Sequence, residues 1–167
     1  MKVLIAYYSQ TGNTEKIARA IYEAAENETR VLEKVDEVDN LETYDMIFLG
    51  FPILHHSVPG DVAKLLQRIP ESKSVAIFAT HGSMRGGKLA VEGFYHAVSL
   101  ASNLRILGTF GAQGQVNHHA MDKLIRLPEY RGWLEEARSA TNHPDKGDIA
   151  DAMEFAAAML ALANMHR

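Results

Sequence analysis

Three runs of the chain are apolar at nearly every position: residues 2–8, 46–51 and 75–79. Such runs are typical of strands that are buried on both faces of a parallel sheet. Residues 29–35 alternate and are more polar, and residues 104–110 also mix polar with apolar positions. The first of these two segments therefore predicts an edge strand, and the second predicts a strand at the edge or late in the sheet.

Between and after these runs, apolar residues recur at helical spacing. The pattern predicts helices over residues 14–26, about 59–69, 88–101, 120–127, 129–140 and 148–166. Pro128 separates the fourth helix from the fifth. Asp148 and Asp151 open the last helix while His166 and Arg167 close it, an arrangement that the helix dipole favours.

Alternating strands and helices predict an α/β fold, with a five-stranded parallel sheet between two layers of helices. No repeat, low-complexity segment or linker interrupts residues 1–167, so we expect a single domain. In such sheets ligands bind at the carboxyl ends of the strands. The loops at residues 9–14, 52–58, 80–87 and 111–117 should therefore converge on one site.

Composition narrows the range of functions. The 167 residues are 47% hydrophobic and 23% charged, which is ordinary for a globular protein, and the net charge of −4 argues against a nucleic-acid surface. The absence of cysteine excludes disulfides, thiolate metal sites and cysteine nucleophiles. No apolar run approaches the roughly 20 residues that span a bilayer, and no secretory signal is recognisable, so we expect a cytoplasmic protein without a membrane partner.

The loop between the first strand and the first helix carries the clearest chemistry. Its residues are rich in hydroxyl, amide and backbone donors: Ser9, Gln10, Thr11, Gly12, Asn13 and Thr14. The first amides of a helix lack intrahelical acceptors and lie at its positive end, so this turn can hold an anion with neutral donors. Gly12 allows a positive φ there.

Other interpretations of the loop are weaker. A plain capped turn needs one hydroxyl, not a cluster around a glycine. The lysine-containing loop of the P-loop nucleotide-binding proteins is absent, and so is the dinucleotide-binding glycine pattern. A phosphoacceptor receiver domain would need an aspartate cluster where Tyr7 and Tyr8 stand.

In this context, a first strand followed by Ser-x-Thr-Gly-Asn-Thr resembles the flavodoxin family, and Gly50-Phe51-Pro52 at the end of the third strand is also similar. The resemblance implies strand order 2-1-3-4-5, taken from that family rather than derived. It also implies FMN as the cofactor, with its phosphate in the loop of residues 9–14. The isoalloxazine ring would lie between two later loops, beside Pro52, Ile53, Leu54, His55, His56, Thr80, His81, Gly82, Gly86 and Gly87.

The chain departs from the family in its ring-binding loops. Many flavodoxins stack the ring between aromatic side chains there, but residues 53–58 and 80–87 contain no Trp, Tyr or Phe. We interpret Tyr130 and Trp133 as packing residues of the C-terminal segment. Histidines take the aromatic positions, and when protonated they would raise the flavin potential.

Several polar residues keep more than one interpretation. His55 and His56 could tune the ring, be exposed without a role, or ligate a metal with a third ligand that spacing does not identify. His118 and His119 favour an exposed position. Arg85 could clamp a partner's carboxylate, although a solvated side chain is favoured.

The resemblance implies an FMN electron carrier that relays electrons from a reductase to a partner enzyme, as a monomer or weak dimer, with no catalytic residue or metal of its own. An alternative is an FMN-dependent NAD(P)H oxidoreductase that reduces a quinone, haem-like or tetrapyrrole substrate, with a histidine as proton donor. A third is a flavin-free binding module, which the intact loop disfavours.

Overall fold

The computed structural model describes residues 1–165 and contains a five-stranded parallel sheet in the order β2-β1-β3-β4-β5. The strands are β1 Lys2–Tyr7, β2 Thr29–Lys34, β3 Met46–Pro52, β4 Ser74–His81 and β5 Arg105–Gln113. The predicted fold class and strand order are confirmed. The predicted edge positions of the second and fifth strands are confirmed as well.

Helices cover both faces of the sheet. They are α1 Asn13–Ala24, α2 Gly60–Arg68, α3 Lys88–Leu100, α4 His118–Leu124, α5 Arg131–Ser139 and α6 Lys146–Met165, with a short 3₁₀ helix at Pro128–Tyr130. On one face α1 and α6 pack against each other and against the sheet. On the other face α2 and α3 do so.

The core follows from the apolar runs. Every residue of β1 from Val3 to Tyr7 is buried, as is all of β4, and β3 is buried up to Phe51. Successive side chains of a strand point to opposite faces, so each central strand supplies both cores. Leu4 and Ala6 belong to the α2–α3 core, whereas Val3 and Ile5 belong to the α1–α6 core.

Two strands are longer than predicted. β4 includes Thr80 and His81, and β5 continues through Gly111 to Gln113, because the two strands stay paired up to the register His81–Gln113. The predicted loops after these strands therefore begin later, at Gly82 and Gly114. Thr80 and His81 are polar but do not end β4, because Thr80 is hydrogen-bonded to Thr14 and His81 to the Ser83 carbonyl.

The segment between β5 and α6 forms the short helices that the sequence predicts around Pro128. The last helix begins at Lys146, two residues before the predicted start, because Asp145 accepts hydrogen bonds from the amides of Gly147 and Asp148. The predicted closing residues His166 and Arg167 lie outside the described residues. Within residues 1–165, no helix is both long and apolar enough to cross a membrane.

Candidate functional site

The loop after β1 forms a cradle of donors, which we call the phosphate cradle and define as residues 9–14. Gly12 has φ 88°, which confirms its predicted positive value. The Gly12 amide donates to Ser9 Oγ at 3.1 Å, and the Lys16 amide closes the first helical turn on the Gly12 carbonyl. No side chain within residues 1–165 caps α1, so its first amides remain available to an anion.

Two contacts join the phosphate cradle to neighbouring strands. Thr14 Oγ1 lies 2.8 Å from Thr80 Oγ1 at the end of β4, and both side chains are buried. Asn13 Nδ2 donates to the carbonyl oxygen of Gln115 at 3.0 Å. The loops after β1, β4 and β5 therefore meet at one edge of the sheet, as predicted.

A cleft of about 230 Å³ opens beside the cradle. The predicted site residues in its walls are Ser9, Gln10, Thr11, Asn13, Thr14, Pro52, Ile53, Leu54, His55, Thr80, His81 and Gly82. Further residues line it from beyond β5: Gly114, Gln115, Val116, Asn117, Ala120 and Trp133. Among these lining residues, all within the described part of the chain, there is no Lys or Arg.

Some predicted residues lie outside this cleft. His56 lines a smaller adjoining compartment of about 70 Å³, together with Tyr130 and Leu89. Gly86 borders a separate groove between α3 and β5. Gly87 packs beside Glu136, where a Cβ would lie 2.5 Å from the carboxylate.

The two histidines after β3 form a tight turn. Leu54 and Ser57 exchange backbone hydrogen bonds of 3.2 and 2.9 Å, and His55 and His56 between them have φ values of 49° and 62°. Non-glycine residues adopt such values rarely. His56 Nδ1 lies 2.7 Å from Glu92 Oε2, and Ser57 Oγ lies 3.0 Å from His96 Nδ1, so the turn is fastened to α3.

A metal site at these histidines gains no third ligand from the structure. Among residues 1–165, the group with ligand-like spacing is His143, Asp145 and Asp148, at the start of α6. Asp148 Oδ2 there accepts hydrogen bonds from the Asp145 amide and from His143, while Asp145 caps the helix. This reciprocal capping accounts for the cluster without an ion.

His81 lines the cleft as predicted, but its surroundings disfavour the protonated form that would raise a flavin potential. Its side chain is buried, and Nδ1–H donates to the Ser83 carbonyl at 2.8 Å. Burial lowers the pKa of His81 below its ordinary value, and the positive charge of Arg85 lowers it further, against the raising effect of the Ser83 hydrogen bond. His81 is therefore neutral at pH 7 and supplies no cation to a flavin.

Arg85 is exposed, as the sequence favoured, but its guanidinium is also ion-paired. It donates to Asp151 Oδ2 at 2.6 Å and to Asp148 Oδ1 at 3.2 Å, and its guanidinium lies 5.2 Å from the Phe110 ring centre. This residue joins the loop after β4 to α6. His118 and His119 are exposed at the start of α4, as the sequence favoured.

Trp133 is a residue of the cleft that sequence reasoning missed. It lines both the cleft and the adjoining compartment, instead of only packing within the C-terminal segment. A Cβ on Gly82 would lie 2.7 Å from the indole Cζ2, so the ring rests on the Gly82 backbone. The sequence offered two signals for this contact, the single tryptophan of the chain and the glycine that follows β4. No local spacing connects the two residues.

The donor set and the cleft together suit a phosphate ester that carries a flat, apolar ring system. Neutral hydroxyl and amide donors and the positive end of α1 meet the needs of a phosphate. Pro52, Ile53, Leu54 and Trp133 supply apolar surface next to it. FMN has both parts, and this chain's residues fit them.

A model of the flavodoxin domain matches residues 4–157, so the chain belongs to the flavodoxin domain family. It is 30% identical to the flavodoxin-like domain-containing protein BilS of Clostridioides difficile over 99% of both chains. Oxidised flavodoxin 2 of Bacillus cereus shares the fold with a TM-score of 0.63 at 22% identity, covering 97% of this chain and 99% of that one. A Lactobacillus acidophilus flavoprotein in complex with FMN aligns with a TM-score of 0.56 at 20% identity, covering 66% and 92%. The predicted family is confirmed, and family membership together with the donor set supports FMN as the cofactor.

Proposed function

We propose that this protein is a one-domain FMN carrier that relays electrons from a reductase to a partner enzyme. Membership of the flavodoxin domain family supports the proposal. The observation that carries it is the phosphate cradle at the uncapped start of α1, opening onto an apolar cleft. Redox-protein partners and a cytoplasmic location belong to the same proposal.

The hydroxyl and amide donors of the phosphate cradle would bind the phosphate of FMN. Ser9, Thr11 and Thr14 would donate hydroxyl hydrogens to phosphate oxygens, and the first amides of α1 would add backbone donors. The Thr14–Thr80 contact holds one of these hydroxyls in place. Because the donors are fixed by β1, α1 and β4, the cradle would bind phosphate without reorganising.

The cleft would orient the ring and exclude water. Ile53 and Leu54 supply apolar surface to the cleft from the loop after β3, and Trp133 supplies it from α5. Bound FMN would supply the redox chemistry, accepting and returning electrons at its ring. His81 remains neutral and hydrogen-bonded to Ser83, so it would shape the cleft without adding charge.

The test compares FMN with riboflavin, which lacks the phosphate. Purified protein should bind FMN and undergo reversible reduction in an anaerobic redox titration. Ser9→Ala should weaken FMN binding about tenfold or more, because it removes a hydrogen bond to a charged group, and should leave riboflavin binding unchanged. Ser99→Ala, at an exposed position of α3, is the matched control. Protein that takes up no FMN and shows no visible flavin band would support a flavin-free binding module and overturn the proposal.

A second candidate is an FMN-dependent NAD(P)H oxidoreductase acting on a quinone, haem-like or tetrapyrrole substrate. The compartment that adjoins the cleft favours it, because His55, His56 and Tyr130 line that space and can donate protons. Steady NAD(P)H-dependent turnover of such an acceptor by the isolated protein would favour the enzyme. Reduction that requires a separate reductase would favour the carrier.

A further inference from the structure

We infer that Trp133 forms a wall of the flavin ring site and contacts the isoalloxazine directly. The inference rests on the proposed binding of FMN and specifies which side chain meets the ring. It places the aromatic contact on α5, after the last strand, and not in the loops after β3 and β4.

The position of the indole carries the argument. Trp133 lines the main cleft together with the phosphate cradle, and it also lines the adjoining compartment, so it stands where the two spaces meet. Its six-membered ring rests on the backbone of Gly82, which is one of the residues expected to flank the flavin ring. A flat ligand that extends from the cradle along this cleft therefore meets the indole.

Among the described residues that line the main cleft, there is no Trp, Tyr or Phe other than Trp133. Residues 53–58 and 80–87 contain no Trp, Tyr or Phe. Among the described residues that line the main cleft, the aromatic rings are those of Trp133, His55 and His81. His81 packs edge-on against Phe94 with ring centres 6.4 Å apart, and Phe94 itself borders the groove between α3 and β5.

Packing of α5 fixes the indole in place. Leu134 and Ala137 are buried beneath the helix. Glu136 Oε2 accepts the Met84 amide hydrogen at 3.0 Å, which joins α5 to the loop after β4. Tyr130 meets the indole edge-on with centres 5.9 Å apart, and it meets His56 in the same way at 6.2 Å. The wall is therefore formed before a ligand arrives.

The first measurement is the affinity for FMN and for riboflavin. Trp133→Leu keeps an apolar side chain but removes the ring, so both affinities should fall by the same factor, about 2- to 12-fold. The factor is equal because the contact involves the ring that the two ligands share. Tyr95→Leu, on an exposed part of α3, removes an aromatic ring away from the cleft and should leave both affinities unchanged.

The second measurement is the emission of bound flavin. An indole in contact with an excited flavin quenches it, because one electron passes from the indole to the flavin and then returns. Trp133→Phe keeps an aromatic wall without this electron donor. It should retain most of the affinity, while the emission of bound FMN rises severalfold over that of the wild-type protein.

The outcomes separate the inference from the proposed function. If both Trp133 variants bind FMN as the wild type does and bound FMN stays equally quenched, the Trp133 contact is overturned while FMN binding stands. If the wild-type protein binds neither ligand, the proposed function itself fails. Far-ultraviolet circular dichroism of the variants checks folding, and the conservative Trp133→Phe variant keeps the emission test informative if Trp133→Leu unfolds.

Discussion

Thr14 and Thr80 share a buried hydroxyl–hydroxyl hydrogen bond of 2.8 Å between the start of α1 and the end of β4. The two residues are 66 positions apart, and each is at most 3% exposed. The bond fastens the phosphate cradle to β4, which lines the cleft. Under the proposed function, stability and cofactor binding would therefore be coupled at this point.

Thr14→Val should lower the free energy of unfolding by about 1–3 kcal/mol, because it leaves the Thr80 hydroxyl buried without its partner. Thr80→Val should cost a similar amount for the same reason. The double variant should cost less than the sum of the two, because neither hydroxyl is then left unpaired. Urea unfolding of all four proteins measures this, and strictly additive costs would contradict the coupling.

Gly12→Ala tests the backbone of the phosphate cradle. No atom outside its neighbours lies within 4 Å of a Cβ there, but φ is 88°, so the substitution should cost about 1–2 kcal/mol through strain alone. Gly60→Ala is a matched control, since its Cβ also meets open space while its φ is ordinary. That control should stabilise the protein by about 0.4–1 kcal/mol. Equal effects in thermal or urea unfolding would contradict the assigned left-handed conformation.

His81 should make stability depend on pH. Its folded pKa lies below its unfolded pKa of about 6.5, so the unfolded chain takes up a proton that the folded protein resists. Stability should therefore fall as the pH drops through about 6.5 and continue to fall until the folded pKa is reached.

The control is His81→Asn, whose amide can replace the Nδ1 donor to Ser83 but does not titrate. The difference between wild type and this variant, measured by urea unfolding from pH 7.5 to 5.5, isolates the contribution of His81 from that of the other histidines. A difference that is constant over this range would contradict the prediction.

Asp148 and Asp151 both bind Arg85, but they should differ in their effect on stability. Asp148 is buried and also accepts from His143 and from the Asp145 amide, so Asp148→Ala should cost about 1–3 kcal/mol. Asp151 is about half exposed, so Asp151→Ala should cost about 0–1 kcal/mol. Thermal unfolding distinguishes the two, and a larger cost at Asp151 than at Asp148 would contradict the prediction.

Local patterns were sufficient to predict the α/β class and the turn that forms the phosphate cradle, whereas the strand order came from the family resemblance. Residues 2–14 form a continuous strand, turn and start of a helix. Hydrophobic spacing predicts the strand and the helix, and the glycine predicts the positive φ of Gly12, so no distant contact is needed. The end of β4 could not be predicted in this way. Thr80 and His81 are polar and resemble loop residues in the sequence, and their partners, Thr14 and the Ser83 carbonyl, are known only from the structure.

The same reason hides residues that come from far along the chain. Trp133 reaches the cleft on α5, which Glu136 joins to the loop after β4 and Ser139 joins to Gln113 at the end of β5. Arg85 is likewise held by acids 63 and 66 positions away. Neither contact produces a periodic or spacing signal in a single sequence. The position of Trp133 and the ion pairs of Arg85 could therefore be found only from the tertiary structure.

The absence of Lys and Arg from the lining of the cleft, among the described residues, has a consequence for ionic strength. A site built from cations loses affinity for a phosphate as salt screens the attraction. Here the local donors are neutral, while the chain as a whole carries a net charge of −4 and repels a phosphate that is close to doubly charged. Added salt would weaken that repulsion more than it weakens the hydrogen bonds of the cradle to the phosphate. The affinity for FMN should therefore stay level or rise as the salt concentration increases.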